Sequence, residues 1–231
     1  MYSMLNNLSE QAYGHIRQRL TRGEWQPGTR LVHRTLAAEM GISFTPVREA
    51  IQRLASEGLI KYQRGSGAFV HSPDRREMAE LYELRLVLEP FAAQLAARHA
   101  TSHELDDLDA CCAGFRAIAA ELRSNADLSV EQLDRWLDCE ERFHRGVFEA
   151  ARNRWLTKIA GDLSFTARTF QAQRGAVGLV TADVAGDTCV THAQLVDRLR
   201  ERDEIGAVEW MTTQIERGRD TVLSYIDKHQ I

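Results

Sequence analysis

No apolar run in the 231-residue chain is long enough to span a bilayer, so no transmembrane helix and no membrane partner are expected. The opening Met1-Tyr-Ser-Met-Leu-Asn-Asn lacks a basic region followed by an apolar one, so a secretory signal is not expected either. Cysteine is scarce. Cys111 and Cys112 are chain neighbours, poorly placed to bridge one another, and Cys139 and Cys189 stand without C-x-x-C spacing. Reduced thiols in a cytoplasmic protein follow from that pattern. The phosphate loop G-x-x-x-x-G-K-S/T, the dinucleotide fingerprint G-x-G-x-x-G, the nucleophile elbow G-x-S-x-G and the zinc-protease helix H-E-x-x-H are all missing. Gly65-Ser66-Gly67 is too short for a phosphate loop and reads as a hairpin turn. Beyond Ser72 no strand pattern and no internal repeat is evident.

Charge is present but unevenly placed. Residues 1–73 carry nine Lys/Arg against five Asp/Glu, and residues 74–231 carry 20 against 28. A basic head on an acidic body fits a nucleic-acid-binding module joined to one that does not bind DNA. Chance segregation of surface charge would give the same count.

The most informative segment runs from Gly41 to Leu59. Gly41 can end a helix in the left-handed conformation. Thr45 is placed to cap the next helix, with Pro46 in its first turn. Val47, Ala50, Ile51 and Leu54 recur at helical spacing, with Thr45, Arg48, Glu49 and Gln52 opposite. Gly58 closes the helix. Helices are expected over 8–20, 34–40 and 45–57. The short runs 59–62 and 68–70, around Gln63-Arg64-Gly65-Ser66-Gly67, read as a β-hairpin. One side anchored and one side free is what a helix entering a DNA major groove requires. Ser72-Pro73-Asp74 marks a boundary between a domain over 1–73 and one over 74–231. The second reads as all-α, with helices over 75–100, 103–123, 129–151, 154–172, 187–202 and 203–228. Ser129 and Gln132 make a capping box, and residues 174–186 read as the longest loop. Six such helices suit an antiparallel bundle.

The wording of Gly41–Leu59 resembles the winged helix-turn-helix of the GntR family of bacterial transcription regulators. It is closest to the FadR-like subfamily and its S-R-T-P-V-R-E-A-L signature. Ser43, Thr45, Pro46, Val47, Arg48, Glu49 and Ala50 match; Phe44 stands where the family has Arg, and Ile51 is a conservative change. Pro27-Gly28-Thr29-Arg30-Leu31 and Glu57-Gly58-Leu59-Ile60 match as well. Glu83-Leu84-Arg85-Leu86-Val87-Leu88-Glu89-Pro90 resembles the first helix of the family's C-terminal ligand-binding (FCD) domain. The resemblance implies a homodimeric, ligand-responsive regulator, most simply a repressor, acting on double-stranded DNA with a pseudo-palindromic operator. Arg48 would read a base, with Gln52 a DNA-facing residue on the same side; Arg34 and Thr45 would make phosphate or base contacts at the helix's edge, and Arg64 and Gly65 would reach the backbone or minor groove. An ion pair of Arg48 with Glu49 or Glu57 on a solvated face is the plain alternative. Phe44 cannot make the hydrogen bonds of an arginine, so it would touch a thymine methyl or pack on the wing.

Ionisable residues interrupt apolar stripes in the second domain. Glu140 and His144 lie one turn apart in the stripe Leu133, Trp136, Leu137, Phe143, Val147. His192 begins the stripe Leu195, Val196, Leu199. Arg85 lies in the stripe Leu81, Leu88, Ala92, Leu95, beside Glu89. Buried charge is costly unless paired or ligated, so the set suggests a polar cavity. Ordinary core pairing, Arg85 with Glu89 or Glu140, is the plain alternative. The resemblance implies more. Many FCD domains hold a divalent metal through Asp-x-x-x-His, a second His and a third His 22 positions on, and the metal helps hold a small carboxylate effector. Here Glu140 takes the Asp place, His144 and His192 match, and Gln214 replaces the third His. An amide suits zinc or nickel poorly. The other expectation is that Arg85, His144 and His192 bind an anionic effector directly. A metal-dependent hydrolase fused to a DNA-binding head and a non-specific architectural DNA protein are the competing functions.

Overall fold

The computed structural model describes residues 2–71, 73–122, 128–159 and 176–229, the side chains of 2–7 and 176–177 excepted. These residues form two compact units, one ending at residue 72 and the other beginning at Pro73.

The first unit contains α1 (Tyr2–Thr21), β1 (Arg30–Leu31), α2 (His33–Met40), α3 (Phe44–Ser56), β2 (Ile60–Gln63) and β3 (Gly67–Val70). Ala12, Ile16 and Leu20, four apart on α1, are wholly buried and meet Val47, Ile51 and Leu54 of α3 in one core. Leu31, Ile60, Ala68 and Val70 close that core from the sheet. The sheet is antiparallel with order β1-β3-β2, pairing Arg30 with Phe69 and Tyr62 with Ala68. β1 was not expected from sequence, since two residues are too few to show an alternation.

The turn between α2 and α3 uses the left-handed glycine anticipated at Gly41, whose φ is 65°. Its N–H and that of Ile42 bond back to the carbonyls of Ala38 and Ala37. The same pairing ends α3, where Gly58 (φ 79°) bonds Ala55 and Leu59 bonds Leu54. Both are Schellman ends, in which a positive φ frees two amides for the last carbonyls. A Cβ on Gly58 would meet nothing within 4 Å, so only backbone conformation opposes substitution. Gly58→Ala should therefore lower the unfolding free energy of this unit by about 1 kcal/mol. An unchanged denaturant midpoint would mean the helix end re-forms without a left-handed residue.

One boundary differs from expectation. α3 begins at Phe44, and its N-cap is Ser43, not Thr45. The extended backbone of Ser43 starts the helix two residues earlier, and no side-chain cap bond is made. Pro46 still fits, because an N–H in the first turn needs no helical partner.

The second unit is all-α, giving with the first the winged helix-turn-helix plus helical bundle architecture expected. It contains α4 (Arg75–His99), α5 (Ser102–Leu122), α6 (Val130–Ala150), α7 (Ala182–Arg200) and α8 (Glu204–His229), with residues 154–159 also helical. The remainder of the helix expected over 154–172 lies outside the described residues. The capping box of Ser129 and Gln132 forms as read, and Asp74 with Glu77 makes another at the start of α4. Of the loop expected over 174–186, residues 174–175 lie outside the described residues; a 3-10 turn spans Ala176–Leu179, and the loop ends earlier than expected, where Thr181 caps α7 from Ala182. Gly186 misled the reading, because it lies inside that helix. α4 packs on α8, α7 on α8, and α5 on both α6 and α7. Ion pairs of Arg75 with Asp227 and of Arg98 with Glu204 join opposite ends, so α4 and α8 run antiparallel. All four cysteines are free thiols, and among the described residues no helix is long and apolar enough to cross a membrane.

The buried face of α4 is rotated from the stripe read in the sequence. Met78, Tyr82, Glu89, Ala92, Ala93 and Ala96 are buried, whereas Leu81, Leu88 and Leu95 are only partly covered. Leu84, Val87 and Phe91 put apolar residues on the outer side of α4 as well, so periodicity alone could not choose its inner side.

Candidate functional site

Two groups of residues were singled out, one in each unit. In the first, α3 is held by Val47, Ala50, Ile51 and Leu54 and turns Thr45, Arg48, Glu49 and Gln52 to solvent. Arg34 on α2 and Arg64 and Gly65 in the β2–β3 turn are exposed too. Gly65 has φ 77° and Gly67 φ 107°, and Ser66 N–H bonds the Gln63 carbonyl to close the turn. The glycines allow a tight tip that carries Arg64 outward.

The plain alternative for Arg48 was an ion pair with Glu49 or Glu57. Glu57 is engaged otherwise: it accepts from the Tyr13 hydroxyl at 2.9 Å and pairs with Arg53 at 3.3 Å. Arg53 in turn pairs with Glu10 and lies over the Tyr13 ring. Among the described residues Arg48, Arg34 and Arg64 have no ion-pair partner. The head therefore spends Arg53 on its own structure and leaves these arginines to solvent.

In the second unit, α4, α6 and α7 bring together the ionisable residues that interrupt the apolar stripes. Glu89 of α4 is their hub. Its Oε1 accepts from Arg85 Nε at 2.5 Å, and its Oε2 lies 2.6 Å from His144 Nδ1, an ion-pair contact. Burial would raise the Glu89 carboxyl, but Arg85 and His144 outweigh it and hold the pKa at about 2. His144 is pulled down by burial, yet Glu89 and Glu140 push it up to about 9. It is thus an imidazolium at neutral pH, with Nε2 3.4 Å from Glu140 Oε2.

His192 is the opposite case. Its Nδ1 lies 2.9 Å from the Thr188 carbonyl, and a carbonyl can only accept. Nδ1 must carry a proton, so in the neutral ring Nε2 presents a lone pair. That atom is buried with no hydrogen-bond partner, 3.9 Å from Glu140 Oε2. Burial among Phe115 and Phe143, whose ring centroids are 4.9 and 4.4 Å away, lowers the pKa to about 4. Ligand atoms of Glu140, His144 and His192 all lie within 4.8 Å of one another.

This geometry separates the two expectations for the cavity. A neutral His192 offers a lone pair and not a positive charge, which suits a cation at this position better than direct contact with an anion. The Nε edge of Arg85 is likewise committed to Glu89. The three-residue cluster fits a divalent cation, with the second nitrogen of each imidazole fixed by a carboxylate or a carbonyl. Gln214 donates from Nε2 to the Thr191 carbonyl at 2.8 Å, and its buried Oε1 has no partner. Sequence reading had treated Glu89 only as the neighbour of Arg85; its part in holding His144 comes from another helix. The Thr188 carbonyl had no signal at all.

The whole constellation lies within residues 80–217, which match the FCD domain family, and residues 8–70 match the bacterial regulatory proteins of the gntR family. The chain belongs to the FCD-bearing branch of the gntR family. Both families are of regulators, not enzymes, so the hydrolase alternative is not favoured. The Nta operon transcriptional regulator of Aminobacter aminovorans is 31% identical over 140 residues, 61% of this chain and 62% of that protein. The gluconate operon transcriptional repressor of Bacillus subtilis is 43% identical over 76 residues, 33% of this chain and 31% of that one. The chain thus spans between 31% and 62% of these relatives' own length. The solved structure of E. coli McbR/YncC shares the fold, with a TM-score of 0.76 at 19% identity over 94% of this chain and 97% of that one.

Proposed function

We propose that this gntR-family chain is a DNA-binding repressor of a metabolic operon, working as a homodimer and responding to a small carboxylate effector. The observation that carries the reading is α3: one face buried in the head, the other presenting Thr45, Arg48 and Gln52, with no ion-pair partner for Arg48 among the described residues. A single head buries too little surface for tight binding, so two heads on a pseudo-palindrome are needed. A second copy is also suggested by α4, which leaves Leu84, Val87 and Phe91 exposed on one side. The test is selection of binding sequences from a random duplex pool by the full chain. A common, salt-sensitive, two-fold symmetric motif is expected; equal affinity for scrambled duplex would favour the architectural alternative.

Control of the head is assigned to the cluster in the second unit. Glu140, His144 and His192 would hold a divalent ion such as zinc or nickel, and the ion would supply a positive centre for a carboxylate. His144 would give up its Nε2 proton on ligation, while Nδ1 stays against Glu89. Gln214 Oε1 is a polar atom still to be satisfied beside this group of helices. Elemental analysis of protein purified without chelator or added metal should find about one divalent ion per chain. His192→Ala should lose it. A metal-free wild-type protein that still binds zinc no better than His192→Ala would remove the ion from the proposal.

A further inference from the structure

Three aromatic rings meet on the surface of the first unit, outside its core. The Phe44 ring lies 5.6 Å from that of His33, and His33 stacks at 6.4 Å on Tyr62. The Tyr62 hydroxyl is 3.5 Å from His33 Nε2. The rings come from the first residue of α2, the first residue of α3 and the middle of β2. Phe44 is nevertheless 43% exposed and Tyr62 49%. The core below is closed by other residues, so a half-solvated phenyl adds little to it. Partial burial and the charge of Arg48 both hold His33 below its usual pKa, so the cluster is uncharged at neutral pH. The field of Arg48 reaches Tyr62 as well, which puts the candidate base-reading arginine beside the same cluster.

Residues at the N-terminal end of a recognition helix are the ones that meet base edges. Because α3 starts at Phe44, this ring belongs to that end and does not precede it. A phenyl group has neither donor nor acceptor. In the major groove the one base feature it matches is the C5-methyl of thymine. His33, itself stacked on Tyr62, lies against one side of the ring and lessens the side-chain freedom to be lost on contact.

We propose that Phe44, resting on the ring of His33, selects one thymine in each half-site through its C5-methyl group. This rests on the DNA-binding reading above and adds a base preference to it. The duplex selected by the wild-type chain is resynthesised with deoxyuridine in place of thymine, one symmetric pair at a time. Binding is followed by fluorescence anisotropy. At one pair, loss of each methyl should weaken wild-type binding about fourfold. Phe44→Ala should bind the thymine and uracil duplexes equally at that pair. Phe44→Arg, selected against the random pool, should choose guanine there. Methyl sensitivity that persists in Phe44→Ala, or no sensitive pair with the wild-type chain, overturns the assignment. A wild-type chain that selects no common sequence overturns the regulator reading and this proposal with it, so the two failures are told apart.

Discussion

Glu89→Ala is expected to destabilise the helical unit by about 3 kcal/mol, out of proportion to a change of one side chain. Glu89 is 3% exposed and touches two cationic groups, Arg85 and His144. Its removal leaves a buried guanidinium without its carboxylate, and breaking a buried pair costs far more than the pair itself contributes. His144 can shed its proton in response; arginine cannot. Chemical unfolding of the full chain, followed by a probe in the second unit, measures the loss. Glu89→Gln should lose less, because an amide oxygen still accepts from Arg85 Nε. A loss below about 1 kcal/mol in the alanine variant would show that water takes over the pairing. The same variant frees the His144 ring, so zinc affinity should fall roughly tenfold or more. A stability loss with unchanged zinc affinity would make Glu89 structural only.

The second large effect is expected at Arg48. Loss of a bidentate contact to guanine costs about 1–3 kcal/mol in each half-site. Arg48→Ala should therefore weaken binding to the selected duplex by roughly a hundredfold in the dimer and blur the preference at one symmetric position. Binding to scrambled duplex should change much less. Arg64→Ala supplies the contrast. A residue at the wing tip that meets phosphate should weaken all sequences alike and reduce the salt dependence by about one ion. Gel-shift titrations at several salt concentrations distinguish these patterns. Unchanged affinity and sequence preference in Arg48→Ala would remove it from the reading role. The variant should fold as the wild type does, since Arg48 is exposed and makes no ion pair among the described residues.

How much of this was legible depended on how local each feature is. Gly41, Val47, Ala50, Ile51, Leu54 and Gly58 announce a turn and an amphipathic helix within 18 residues, and they form it as read. His192 and its stripe Leu195, Val196 and Leu199 were equally clear, and all four are buried. The inner face of α4 was not, because Leu84, Val87 and Phe91 put apolar residues on its outer side too. The cap of α3 was misplaced because Ser43 and Thr45 are both good N-cap residues, and only the observed backbone chooses between them. β1 depends wholly on its partner: Arg30 and Leu31 become a strand by pairing with Phe69 and Ala68.

The sequence by itself determined the architecture, the family, and the face of α3 that is free to act, since side-chain period and glycine placement are local properties of the chain. It also brought Glu140, His144 and His192 under suspicion as charges on apolar stripes. Tertiary structure decided what those residues are. Glu89, contributed by a different helix, makes His144 a cation, while burial keeps His192 neutral and a backbone carbonyl fixes its tautomer so that Nε2 carries the lone pair. It also decided that Phe44 leans on His33 and is not free. The physical reason is common to all three: protonation state and side-chain direction follow from the groups within a few ångströms, and folding chooses those groups from distant parts of the chain.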